Sequence, residues 1–452
     1  MRSSNVGLVL VSCMFFTSSG IAADYWVDAV KGDDVASGLE ATPWKTVQFA
    51  IKKCSPGDTV NVRDGQYDEI VAIDVSGTKE NPISIRAQNS RKARLQRITI
   101  DGDFIRASGF EITSEAGGLQ VAGIMISKGR FNEVTDNYIH DIPGTVGVSV
   151  MGEGNIVAKN RIYRMNKGIN VGGKNNLIER NEVERLIYNN QDADYFRFMG
   201  DGLVFRNNWM HGTRAEDIGK SHTDGFQTFA VSPGQVFSNV TIEGNLLMDY
   251  HAQGMMLEGQ PDFDGRPFSG DGLFIRNNVW SGGNHVIMAM SINNVVVTGN
   301  TFIGYTGMGV LPGLKFPDKI KEKVEKGLKF KTVVKNNIFY NCAAFVGWYK
   351  GKPGMDLTNE ANLYYNPAKP LVDKEGGWSK DILNLDPMLV DAKNLLGPDG
   401  IPFTADDGYL LQAGSPAIDK GVKLEHSDAQ DIFGTARPQG AGWDLGAQEY
   451  KR

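Results

Sequence analysis

Asn132-Glu-Val-Thr-Asp-Asn137-Tyr-Ile is followed by Asn155-Ile-Val-Ala-Lys-Asn160-Arg-Ile and then by Asn176-Leu-Ile-Glu-Arg-Asn181-Glu-Val. The same phrase, an apolar strand closed by Asn-x-apolar, returns at Asn207, Asn245, Asn277, Asn300 and Asn336. From Asn137 onward these asparagines lie 23, 21, 26, 38, 32, 23 and 36 residues apart. A period of this size, with one short apolar strand and one turn residue conserved in each repeat unit, marks a solenoid. One unit cannot bury its apolar side alone and gains stability by stacking on the next. Asparagine suits the repeated turn because stacked amides hydrogen-bond along the axis. The short intervals predict one coil of three strands, and the long ones predict coils with insertions gathered on one side, often the binding side.

A second column runs through Gly123-Ile-Met-Ile, Gly147-Val-Ser-Val, Gly168-Ile-Asn-Val, Tyr195-Phe-Arg-Phe, Gly225-Phe-Gln-Thr, Gly254-Met-Met-Leu, His285-Val-Ile-Met and Gly307-Met-Gly-Val. Alternation predicts Ile124, Val148, Ile169, Phe196, Phe226, Met255, Val286 and Met308 inward. Asn170, Arg197 and Gln227 then point outward from three adjacent coils as a polar strip on which a long, flat ligand can lie. The fold class expected is all-β, a right-handed parallel β-helix with an N-terminal helical cap and a C-terminal loop-rich cap.

Around this core the chain divides in three. Residues 1–23 read as a secretion signal, with Arg2, an apolar run from Val6 to Phe16, and small residues before Asp24. Leu10-Val11-Ser12-Cys13 also resembles a lipobox, but the apolar run continues past Cys13, which favours ordinary secretion. Residues 24–385 form the β-helix, with Trp44 to Lys53 as a short helix closing the open end. Residues 386–452, rich in Gly, Asp and Pro, form a cap over the last coils. Lys315 to Lys331 reads as a solvated amphipathic helix inserted in a loop. The 54 glycines and 41% hydrophobic residues fit a packed, turn-rich β protein, and a net charge of -6 excludes a broad nucleic-acid surface. Cys54 and Cys342 lack metal or disulfide spacing, and no later stretch can span a membrane. A monomer is expected.

The densest polar run is His211-Gly-Thr-Arg214-Ala-Glu216-Asp217-Ile-Gly-Lys220-Ser-His222-Thr-Asp224-Gly-Phe-Gln227. The preceding coil carries Tyr188 to Tyr195 in its own loop, and the next adds Tyr250-His251. Stacking makes these loops neighbours, so Tyr188 or Tyr195 approaches Lys220. Cleavage of a uronate chain by β-elimination needs a group to neutralise the carboxylate, a base for the adjacent carbon's proton, and an acid for the departing oxygen. A lysine serves as base when desolvation or nearby cations such as Arg197 and Arg214 lower its pKa. Tyrosine can donate the proton, and Arg197, His222 and Gln227 can hold the carboxylate. Asp224 reads equally as a turn residue capping local amides, and His211 and His285 as structural or subsite residues.

With that run and the repeat in place, the chain resembles the β-helical polysaccharide lyases, most of all an alginate-lyase family that pairs a catalytic lysine with a tyrosine. The resemblance implies Lys220 as base and a tyrosine of the preceding loop as acid, Tyr188 first and Tyr195 second. The remaining substrate contacts expected are Asn170, Arg197, Arg214, His222, Asp224, Gln227 and His251. Tyr25-Trp-Val-Asp28 and Pro56-Gly-Asp58 also resemble calcium-dependent pectate lyases, which use clustered aspartates; here Asp201, Asp217 and Asp224 are scattered. No cofactor is therefore expected, with calcium the alternative. Gly414-Ser-Pro-Ala-Ile-Asp419 and Trp443-Asp-Leu-Gly446 are similar to C-terminal segments of exported bacterial β-helices. Two other classes compete. His222-Thr-Asp224-Gly is similar to a strand of β-helical polygalacturonases, although the adjacent Asp-Asp, Gly-His-Gly and Arg-x-Lys companions are missing beside it. A non-catalytic glycan-binding β-helix is the third, because fold alone implies no activity.

Overall fold

In the computed structural model the described residues are 22–115, 122–142, 144–188, 192–219, 221, 223–230, 232, 234–249, 253–263, 266–313, 317–343, 354–370, 380–424 and 430–451, with the side chains of 261–263, 308, 311, 312 and 317–320 also left aside. The signal and lipobox readings fall on residues outside these. Three parallel sheets wind as a right-handed β-helix. The first sheet runs from Asp24–Val27 to Met355–Glu360, the second from Ile70–Ile73 to Met308–Gly313, and the third from Gly65–Gln66 to Ile382–Leu383. One coil passes through Ala122–Ile126 on the second sheet, Glu133–Thr135 on the first and Tyr138–His140 on the third before returning at Val146–Val150.

Asparagine sets the corner between the first and third sheets. Asn137, Asn160, Asn181, Asn208, Asn245, Asn278, Asn300, Asn337 and Asn362 are all buried, and each side-chain amide donates to the next oxygen in the series at 2.9–3.5 Å, ending on Asp381. The backbone N–H of each residue donates to the same oxygen, as Asn208 N does to Asn245 Oδ1 at 2.9 Å. The expected series is corrected at three coils: where two asparagines adjoin, the second is the ladder residue. Asn207, Asn277 and Asn336 take φ of 51, 54 and 57°. They fill the left-handed position held by Asp136, Lys159, Arg180, Gly244 and Gly299 elsewhere, a conformation that asparagine and glycine enter at low cost. A shorter ladder of Asn132, Asn155 and Asn176 marks the corner between the second and first sheets.

Inside, stacked rings continue the repeat. Phe196 and Phe226 stack at 5.1 Å between centroids, and Phe205 meets both edge-on at 5.4 and 5.5 Å. On the second sheet, Ile124, Val148, Ile169, Phe196, Phe226 and Met255 are inward as expected. The last two coils are not: Met255 pairs with Ile287, which pairs with Val310. Val286, still buried, occupies the glycine column instead, and the side chain of Met308 lies outside the description.

From Ala122–Ile126 onward, the second-sheet strands are interrupted at that glycine column. Register partners run Ala122, then Ile124; Asp194, then Phe196; Asp224, then Phe226; Gln253, then Met255. The pairing is interrupted at the same residue on both partners, and Asp194 and Arg197, three apart, bond to each other on one side of the strand, so alternation is broken there. A Cβ at Gly225 would lie 2.6 Å from both Gly254 O and Leu247.

The expected helix forms over Val47–Lys53, capped by Thr46 and by Glu69, whose carboxylate accepts from Val47 N and Gln48 N at 2.9 Å each. The amphipathic insertion is helical over Pro317–Glu325. The C-terminal stretch packs on the last coils at Ile338 and Leu363 and also on earlier ones at Leu246 and Val279. It lies as a strap along the outer face of the third sheet, where Leu389, Leu395, Leu411 and Leu445 cluster with Leu246, Val279, Ile338 and Leu363. Asn207 Nδ2 donates to Ile432 O at 3.2 Å and Asn336 Nδ2 to Val422 O at 2.7 Å, so the left-handed asparagines anchor it. Buried Arg437 and Glu449 pair at 3.0 Å within it.

Asn208→Ala is expected to cost about 3 kcal/mol, because it strands several buried donors and acceptors of Asn181, Ile178 and Asn245. Exposed Lys159, at φ 56°, should change to glycine with little effect, the relieved strain offsetting the added chain entropy. Thermal melts of the two variants check the contrast.

Candidate active site

The register that follows from the ladders builds two columns on the second sheet. The outer one is the expected strip: Asn170 pairs with Arg197, which pairs with Gln227, and Met256 and Met288 extend it. The other lies three residues earlier, where Asp194 pairs with Asp224, then Gln253, then His285. Strict alternation would send these side chains away from the strip; the interruption at Tyr195, Gly225 and Gly254 turns them toward it, as the Arg197–Asp194 and Gln227–Asp224 bonds show.

A charged network results. Arg197 Nη2 donates to Asp194 Oδ2 at 2.6 Å and also to Gln227 Oε1, while Gln227 Nε2 donates to Asp224 Oδ2 at 2.7 Å. Asp194, Asp224 and Gln227 are fully buried and Arg197 is half-buried, so the guanidinium is the member of this set that reaches the surface. Asp194 Oδ1 and Asn170 Oδ1 have no hydrogen-bond partner among the described residues. Burial above all, aided by the Asp224 carboxylate, pushes Asp194 up to about 7 against the pull of Arg197 and Lys167. Buried Lys167, whose ammonium donates to Asn166 Oδ1 at 2.9 Å, is the second cation here. Its pKa is lowered by burial first and then by Arg197. His285 is likewise lowered by burial.

Beside the strip opens a cleft of about 460 Å³, lined by Asn170, Arg197, Lys174, Arg266, Phe198 and Met199 among others. Lys174 stands level with Asp201. Hydrogen bonds from Ser238 and Asn239, together with the Lys174 and Arg266 charges, hold Asp201 below the usual carboxylate range. The cleft thus presents three cations to whatever lies along it.

The expected site residues separate into groups. Asn170, Arg197, Asp224 and Gln227 are brought together. Tyr195 is a correction: it occupies the glycine column, is fully buried, and shares a 2.7 Å hydrogen bond with Thr213 Oγ1, so it cannot touch a surface ligand. Burial raises its pKa further. Tyr188 is exposed, and its backbone N–H donates to Asp217 O at 2.8 Å, which joins the two insertion loops as expected. Arg214 is exposed and lies 3.7 Å from Glu216; its described contacts do not include the strip. Lys220, His222 and His251 lie outside the described residues. His211 is on the third sheet, stacked on Trp209 at 3.7 Å and 3.2 Å from Glu182. Lys167 and Asp194 were missed, although a signal existed: Lys167-Gly-Ile-Asn170, Asp194-Tyr-Phe-Arg197 and Asp224-Gly-Phe-Gln227 share one spacing.

Residues 25–307, well over half of the chain, match the family described as Pel9A-like, right handed beta helix region. The chain belongs to this Pel9A-like β-helix family. Among solved structures, pectate lyase Pel9A is similar over 95% of this chain and 97% of its own, at 16% identity and a TM-score of 0.52. The GH136 lacto-N-biosidase from Eubacterium ramulus is similar over 76% of this chain and 68% of its own, at 16% identity and a TM-score of 0.56. Both likenesses concern the fold. An uncharacterized Bacillus subtilis protein, YwoF, is 28% identical over 90 residues, a match spanning 20% of this chain and 18% of that protein. Among the described residues of this Pel9A-like chain no helix is long and apolar enough to cross a membrane.

The raised pKa of Asp194 has a consequence for stability. Folding favours its protonated form, so its contribution is fully present below the ordinary aspartate pKa of about 3.9 and is lost as pH rises through about 7. Asp194→Asn should flatten the fall in melting temperature between those pH values. An unchanged slope in differential scanning fluorimetry would contradict the assignment.

Proposed function

We propose that this Pel9A-like chain is a secreted lyase that cleaves a uronate polymer by β-elimination, with alginate the favoured substrate ahead of pectate. The observation that carries the reading is the Arg197 guanidinium, fixed from below by Asp194 and Gln227 and opening onto a cleft that also holds Lys174 and Arg266. A cation locked by buried acceptors is preorganised to take a sugar carboxylate. Neutralising that carboxylate acidifies the proton on the neighbouring carbon. Lys220 then removes the proton and Tyr188 donates to the leaving oxygen. Support for the pair is the hydrogen bond that ties the Tyr188 loop to Asp217, three residues before Lys220. Insertions flanking the second sheet on both sides are the expected setting for such a site.

We further propose that the reaction needs no metal. Asp194 is already bound by the Arg197 guanidinium at 2.6 Å, and Asp224 accepts from Gln227 at 2.7 Å. Asp194 Oδ1 has the chemistry of a calcium ligand, but a divalent ion there would stand beside the guanidinium that the same carboxylate already binds at 2.6 Å. At this pair of carboxylates the described residues do not fit a resident calcium.

A glycoside hydrolase is the second reading, favoured by one observation: Asp194 and Asp224 stand level on adjacent coils, and one has a raised pKa. Paired carboxylates of this kind serve hydrolysis when both reach the glycosidic oxygen. Here both are buried beneath Arg197 and Gln227, which favours the lyase.

Incubation with alginate, polygalacturonate and chondroitin should generate the ultraviolet absorbance of an unsaturated uronate. Reducing ends without absorbance would establish hydrolysis instead. Lys220→Ala should lower turnover by about 10²–10⁴-fold with the fold intact, and Arg197→Ala should raise KM as well as lower kcat. A chelator should leave the rate unchanged; loss of activity restored by calcium would overturn the metal-free reading.

A further inference from the structure

The corner between the first and third sheets, facing away from the candidate active site, holds a second cleft of about 720 Å³ where the strap meets the coils. Its walls include Trp209 of the third sheet, Phe403 and Phe433 of the strap, and the charged side chains of Arg180, Glu182 and Arg206. We infer that this cleft binds a pyranose saccharide chain by ring stacking, apart from any catalysis.

Three observations carry the inference. The strap buries Leu395, Leu411 and Ile432 against the solenoid yet leaves Phe403 and Phe433 half-buried at the cleft. Phe403 is held there at φ 64°, a left-handed backbone that a bulky side chain rarely adopts and that costs on the order of 1–3 kcal/mol. Phe433 stacks on Tyr409 at 6.2 Å, which fixes its ring. Trp209 lies flat on His211, its rings 3.7 Å apart and 16° from parallel, and His211 is tied to Glu182 at 3.2 Å, so the indole is a braced platform.

Rigid aromatic walls with a few fixed polar groups suit a ligand that offers apolar C–H faces and peripheral hydroxyls, which describes a pyranose ring. Arg206 is already engaged by Glu179 at 3.3 Å and Glu243 at 3.8 Å, so charge is largely compensated at this corner. Binding here should therefore depend little on salt, unlike capture of a polyanion by the three cations beside the strip.

The test is affinity electrophoresis of the full chain in gels containing alginate, polygalacturonate or a neutral β-glucan, repeated at about 0.5 M salt. Wild-type protein and Arg197→Ala should be retarded in at least one gel at both salt concentrations, and Trp209→Ala should weaken retardation at least tenfold. Trp209→Phe, which keeps a ring, should recover part of it. Should Trp209→Ala lose its fold by circular dichroism, Phe433→Ser gives the same comparison at the strap surface. No retardation of wild type in any gel, or equal retardation of the ring-deleted variant, overturns the inference, as does loss of retardation in Arg197→Ala alone. Unsaturated product measured on the same samples keeps the two sites distinct. Product without Trp209-dependent retardation rejects only this cleft, and Trp209-dependent retardation without product rejects only the lyase reading.

Discussion

An asparagine amide that donates to the next asparagine's oxygen, while the backbone beneath it donates to the same atom, allows one vertical alignment between successive coils. A slip of one residue would bury unpaired amides at a corner that excludes water, a cost repeated at every coil from Asn137 to Asn362. The aromatic stack of Phe196, Phe205 and Phe226 depends on that alignment, because rings meet at these distances when their strands stand level. So does the strap, whose anchors Asn207, Asn277 and Asn336 precede ladder residues and take the left-handed turn that the ladder imposes.

The same alignment places chemistry. Asn170, Arg197 and Gln227 form a strip because their coils are in register, and Asp194 stands level with Asp224 for the same reason. The interruption of the pairing at the glycine column then lets residues three apart on one strand share a side. Arg197 thereby gains a buried carboxylate and a buried amide as supports, which makes it a fixed donor in place of a mobile surface side chain. Burying two carboxylates for this purpose costs stability at neutral pH, as the raised pKa of Asp194 records. A lyase reading gives that cost a use, since the cation held in place would meet the substrate's own carboxylate.

Much of the architecture was legible in the chain. Repeat spacing gave the solenoid, and alternation gave the direction of Arg197 and Gln227, because both signals are local and recur in every coil. Finer features were not. In Asn207-Asn208 either residue satisfies the pattern; only the backbone conformation reveals that the second joins the ladder. Tyr195 read both as a loop residue and as the head of a second-column strand level with Gly168 and Gly225; that this level is buried was not legible, because it depends on packing between coils. Asp194 and Lys167 share a spacing with Asp224, yet plain alternation would have assigned them to the wrong face.

What the sequence determined by itself, then, is periodicity: how many residues make a coil, which positions are apolar, where asparagine recurs and where insertions fall. Those properties depend on short-range geometry, which a chain carries along its length. Tertiary structure decided which polar groups face one another across coils, where the strap lies, and that Tyr195 is buried while Tyr188 is exposed. These depend on contacts between residues about 20–40 positions apart, set by stacking and by breaks in alternation that a single coil cannot reveal.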